Sequence, residues 1–222
     1  EAALKAAEVK DARLHHLILN YTGGASMEAL AQELDGVIEG YEDYQRKLGL
    51  CEELPNIAPL NIEDYLDQYE EYVQVISLCI LLQRRDLLPR MVALQDRAGY
   101  HGEDTLVEDL LKAYLPDRLD IDEWYHDVYT PLVKAIYSED PNDARELLVE
   151  YCNQWYEAFE QAPWHDSHLD GDEGSYFGYW AFEAAAVAYL YGLDDSAVKH
   201  MIFPRDLLDY ARRFTPPPMP FH

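Results

Sequence analysis

The densest run of chemistry-bearing side chains is Trp164-His165-Asp166-Ser167-His168-Leu169-Asp170-Gly171-Asp172-Glu173, in which carboxylates and imidazoles crowd one short stretch. Carboxylates at alternate positions around a glycine turn are the donor set of a calcium loop. In that register Asp166 takes the first ligand position, Asp170 the fifth and Gly171 the sharp turn. His168 then falls at the third position and Phe177 at the last, where the loop needs a bidentate glutamate. The pattern fails at its principal ligand.

A second set, His101, the His126-Asp127 pair and Asp166, resembles the ligand order of HD-type metal phosphohydrolases. Imidazole and carboxylate together hold divalent metals that activate water, so this set would make the chain a helical phosphohydrolase. The competing reading of Asp127 is one acid on a solvated face. Nucleophilic catalysis finds no G-x-S-x-G elbow and no glycine-rich phosphate loop. Cys51, Cys79 and Cys152 are widely spaced and form no C-x-x-C. Cys79 and Cys152 fall on apolar helical stripes, where a free thiol is a small hydrophobe, as in a reducing cytosol. These residues predict no metal, no cofactor and no catalytic group.

The acids carry the remaining signal. The 222 residues hold 43 acidic and 17 basic side chains, a formal charge of −26. With 49% apolar residues and 18 Tyr this is a folded chain with a charged surface, not an acidic disordered tail. Scattered bases cannot neutralise phosphates, which excludes direct nucleic-acid binding and disfavours anionic lipid. From Glu139 to Glu173 there are eleven acids against Arg145, from Asp117 to Asp127 five against Arg118, and from Glu63 to Glu71 five against none. Segregated acids are suited to steering and pairing a basic protein, with mere solubility as the alternative. An acidic scaffold or chaperone for a basic protein is a further reading of the same pattern.

The elements that must position these residues read as helices throughout. Ser26 caps a helix whose apolar face runs from Leu30 to Leu48, with Gly49 after it. A helix from Ile62 is predicted with Tyr65, Tyr69, Val73 and Ile76 inside and Asp64, Asp67, Glu70 and Glu71 on an acidic outer face. Shorter helices follow from Asp86 to Gly99 and from Asp104 to Leu115. Asp140-Pro141 opens a helix that buries Ala144, Leu148, Tyr151, Trp155 and Phe159. The stretch Tyr176 to Tyr191, ended by Gly192 as a left-handed cap, reads as the central helix, and its Glu183 needs a buried hydrogen-bonding partner. A last helix begins near Pro204. The fold class is all-α, with two packed helical subdomains (1–102 and 103–214) forming an irregular bundle and an extended tail over 215–222. The longest apolar run, Ala184 to Leu190, is too short to span a membrane. No export signal opens the chain, although Glu1 is not an initiator Met and residues before it are left open.

An ordered series in the C-terminal half resembles the PoNi-type immunity proteins. It comprises Trp155-Tyr156, Trp164-His165-Asp166-Ser167-His168, the run from Tyr176 through Tyr179-Trp180-Ala181-Phe182-Glu183 to Ala186, Asp194-Asp195-Ser196, and Pro204-Arg205-Asp206-Leu207. Tyr21-Thr22-Gly23-Gly24 and Ser77 to Leu82 resemble the family's N-terminal helical domain more loosely. The resemblance covers most of residues 13 to 210. It implies a non-enzymatic cytoplasmic antitoxin that binds and blocks a nuclease toxin delivered by contact-dependent or type VI secretion in interbacterial competition. Within that frame Trp155, Trp164, His165, His168, Tyr179, Trp180, Glu183, Asp195 and Asp206 form a structural signature, the two histidines satisfying nearby backbone groups. Contact with the basic toxin is expected from Asp166, Asp170, Asp172 and Glu173 beside the signature. Asp120, Asp122, Glu123 and Asp127, and then Asp67, Glu70 and Glu71, come next. Homo-oligomerisation stays open.

Overall fold

A computed structural model describes residues 1–171 and 174–219 of the chain. Among these residues there are nine α-helices and no strand, so the fold is all-α as the periodicity predicts. α1 (Ala2–Thr22) and α2 (Met27–Cys51) pair as a hairpin. The turn between them runs through Gly24 at φ +82°, and the Ser26 hydroxyl caps α2 by accepting from the Ala29 N–H at 3.2 Å.

α3 (Leu66–Leu81) is the axis of the molecule, and it corrects the acidic amphipathic helix expected from Ile62. It begins four residues later and leaves Tyr65 exposed. Both of its faces are covered, because α2, α4 (Leu88–Gln95), α5 (Thr105–Leu111), α8 (Phe182–Tyr191) and α9 (Arg205–Ala211) all pack on it. Glu70 is therefore only 5% exposed and does not face solvent. α6 (Thr130–Tyr137) and α7 (Pro141–Ala158) form a second antiparallel pair, with Asp140 accepting from the Asn142 N–H at 2.8 Å as the cap of α7.

Apart from Glu183, α8 is apolar all round, and it is buried from Phe182 to Leu190. Its alanines let backbones approach closely, and Gly192 at φ +65° ends it as predicted. Its start is the second correction: residues 176–181 are not helical, and Gly178 sits at φ +116°, which no helix admits. One continuous apolar cluster runs from Leu14 in α1 to Ala211 in α9. No described helix is long and apolar enough to cross a membrane.

Buried ion pairs brace the irregular parts. Glu108 of α5 receives Arg118 Nε at 2.9 Å and the backbone N–H groups of Gly102 and Leu119 at 2.9 and 2.8 Å. Arg118 also reaches Asp96 at 2.7 Å, so one guanidinium fastens the loop before α5 to the loop after it. Lys112 and Asp109 form a second buried pair at 2.6 Å.

Candidate functional site

The signature residues assemble where the end of α7 turns back toward α8. Trp155 stacks on Trp164 with ring centroids 5.1 Å apart, and Tyr156 stacks on His165 at 4.1 Å. The Tyr156 hydroxyl donates to Asp166 Oδ1 at 2.5 Å, and the Asp166 N–H donates back to it at 3.2 Å. That exchange holds Asp166 at φ +59°, an uncommon conformation for a residue with a side chain. The Tyr179 hydroxyl lies 2.8 Å from His168 Nδ1 and accepts the His168 N–H at 3.1 Å. The two histidines thus meet tyrosines, where backbone groups were expected. Asp170 accepts from the Ser175 hydroxyl. Asp172 and Glu173 lie outside the described residues.

This loop docks on the end of α1. The Thr22 hydroxyl lies between the carbonyls of Phe177 (2.7 Å) and Ile18 (2.9 Å) and accepts from Trp180 Nε1 at 2.9 Å. A Cβ on Gly178 would stand 2.1 Å from Thr22 Oγ1, so only glycine permits the approach. His15 stacks on Phe177 at 4.1 Å, Tyr21 packs edge-on against Trp180, and the Tyr21 hydroxyl donates to Asp206. Asp195 is buried and pairs with Arg205 and Arg212, each at 2.6 Å.

Glu183 finds the buried partners its position requires. Its Oε1 accepts from the Tyr151 hydroxyl at 2.6 Å and from Trp155 Nε1 at 2.8 Å, while Oε2 has no partner among the described residues. Burial outweighs these donors and lifts its pKa from 4.5 to about 7.

Between α1, α3 and this loop opens a cleft of about 600 Å³. Asp11, Asp67, Glu70, Glu71 and Asp170 line it, with the rings of Trp164, Phe177 and Trp180. The structure thus unites Asp170 with Asp67, Glu70 and Glu71, about a hundred residues away in sequence. It adds Asp11 and His15, which no spacing could have indicated. Glu71 is held by Lys10, which also pairs with Asp11 at 2.6 Å. Burial opposes the charge of Lys10, but Glu71 and Asp11 together outweigh it and hold its pKa above the lysine norm. Burial and the charge of Glu183 push the pKa of Glu70 well above the carboxylate range.

The other expected contacts lie elsewhere. Asp120, Asp122, Glu123 and Asp127 are exposed on the segment between α5 and α6, and none lines the cleft. The HD-like residues do not converge: His101 Nε2 donates to the Asp117 carbonyl at 3.1 Å, and His126 Nε2 donates to the Ile62 carbonyl at 2.8 Å. Among the described residues no group of three or more His, Cys, Asp and Glu forms a metal site.

Residues 102–207 match the family model described as PoNe immunity proteins (PoNi), C-terminal. This segment is similar to the PoNi C-terminal region. It holds every signature residue from Trp155 to Asp206, so the matched segment contains Glu183 with its two donors and the loop that walls the cleft. The matched segment does not make the cleft alone: Asp11, Asp67, Glu70 and Glu71 come from α1 and α3, outside it. The crystal structure of protein PA2201 from Pseudomonas aeruginosa is similar over both halves. Its TM-score is 0.66 at 25% identity, covering 96% of this chain and 76% of that one. No curated protein matches the chain.

Proposed function

We propose that the protein is an immunity protein that binds and neutralises a cognate secreted nuclease toxin. The observation that carries this reading is the PoNi match over residues 102–207. The surface chemistry agrees with it. A nuclease needs a basic groove for phosphates, and a chain of net charge −26 offers that groove a competing polyanion. Inhibition then requires binding and no chemistry: acidic surface lies over or beside the DNA cleft of the toxin. The producing cell keeps the protein in its cytoplasm, where an incoming toxin would act.

The test is co-expression with the nuclease encoded directly upstream, followed by purification of the complex and a DNA-cleavage assay. The expected result is a stable complex without nuclease activity, and survival of cells that express both proteins. Full cleavage by the purified complex would sink the reading.

A further inference from the structure

We infer that the cleft between α1, α3 and the signature loop receives an arginine side chain projecting from the toxin. This inference rests on the immunity reading and names the contact through which it works.

The walls select a cation. Five carboxylates line the cleft, and Lys10 pairs with two of them, Asp11 and Glu71, which leaves Asp67, Glu70 and Asp170 without a described cation. His15, the nearest imidazole to Phe177, has its pKa lowered by burial and does not offset them at neutral pH. Glu70 is the decisive residue. Its described hydrogen-bond partners are neutral, the Gln74 amide and the Trp164 indole at 3.4 Å. Three other buried carboxylates have a cation, Glu108 with Arg118, Asp109 with Lys112 and Asp195 with Arg205, whereas Glu183 and Asp104, like Glu70, meet neutral donors. Without a counter-ion, burial keeps a proton on Glu70, and a cation entering beside it would take the place of that proton. Unlike Glu183 and Asp104, Glu70 forms part of the cleft wall and is 5% exposed.

The walls also select the kind of cation. Trp164, Phe177 and Trp180 contribute rings beside the carboxylates. A planar guanidinium stacks on such faces and pairs with carboxylates through a fixed fork, whereas an ammonium does only the second. A metal ion is not what these walls fit, since the described carboxylates and imidazoles do not converge as ligands. At about 600 Å³ the cleft also exceeds what one ion fills and suits a side chain with the backbone that carries it.

The probe for the cleft is a blocked Gly-Arg-Gly peptide, with its neutral citrulline and its lysine counterparts, titrated into the full chain while the indole N–H resonances of Trp164 and Trp180 are followed. The arginine peptide should shift them saturably, and citrulline should bind about tenfold more weakly or worse. Equal binding of citrulline or lysine overturns the inference. For the partner, Glu70→Gln, and separately the double variant Asp67→Asn with Asp170→Asn on the accessible rim, are titrated against the upstream-encoded nuclease. Either should raise Kd by about tenfold or more with the thermal melt retained. Wild-type affinity in a folded double variant overturns the inference while leaving the immunity reading intact. If wild-type protein neither binds nor inhibits that nuclease, the immunity reading itself falls, and the peptide titration alone decides the chemistry of the cleft. Glu71 is left unchanged throughout, because it neutralises the buried Lys10.

Discussion

At the scale of single residues, Glu183 shows how a signature position can be conspicuous without touching a partner. It is fully buried, its Oε2 has no partner among the described residues, and burial raises its pKa from 4.5 to about 7. In the folded protein it keeps its proton over a range where the unfolded chain has lost it. Its stabilising contribution is therefore complete below pH 4.5 and is lost as pH rises through about 7, a change of about 3 kcal/mol for a shift of this size. Urea unfolding of Glu183→Gln, whose amide accepts the same two hydrogen bonds without the charge, should show a shallower pH dependence between pH 5 and 7. The variant should be more stable than wild type at pH 8. An unchanged pH profile would mean that Glu183 does not titrate there. Asp166 makes the opposite point. Chosen as an exposed contact, it is exposed, yet it is also bound to Tyr156 and shapes its own loop.

At the scale of elements, the docking of the loop on α1 depends on one glycine. Gly178→Ala places a methyl group within 2.1 Å of Thr22 Oγ1 at a φ of +116°. We expect a loss of about 2–4 kcal/mol in denaturant unfolding. The His15–Phe177 stack should open with it, which an increase in solvent exchange of the nearby Trp180 indole would report. Glu108→Ala tests the brace around α5. It leaves Arg118 inside with Asp96 alone and strands the Gly102 and Leu119 N–H groups, so a loss of about 3–5 kcal/mol is expected. A loss below 1 kcal/mol would show that water replaces the carboxylate.

At the scale of the whole molecule, the acids divide into two kinds by position. Those of the cleft, apart from the exposed Asp170, are partly or fully buried and should govern how long a complex lasts. Asp122, Glu123 and Asp127 are exposed and do not line the cleft, so they should govern how fast the complex forms. Stopped-flow association of the nuclease with a D122K/E123K variant should be several-fold slower than with wild type in dilute buffer. The difference should vanish near 0.5 M salt, where the Debye length is only a few Å. Equal rates at low salt would remove this segment from the steering surface. Most basic side chains are already held by neighbouring carboxylates, among them Arg84, Arg90, Arg118 and Arg205, so few bases stand free to soften the acidic field.

Helix content, caps and the core were legible in the chain because they are local. Ser26, Asp140 and Gly192 act on residues two to four positions away, and an apolar period of 3.6 declares itself without a partner. The net charge and the PoNi signature were equally local properties. What lay hidden was everything set by burial from outside. The sequence of α3 reads as half acidic and solvated, and only the packing of α8 and α9 against it shows that Glu70 is inside. The start of α8 was misplaced because apolar residues suggest a helix, while Gly178 obeys a contact with Thr22 far away in sequence. The cleft belongs wholly to this second class. Its walls come from α1, α3 and the loop before α8, and a carboxylate becomes a receptor for a cation only when folding removes its water and leaves one side open.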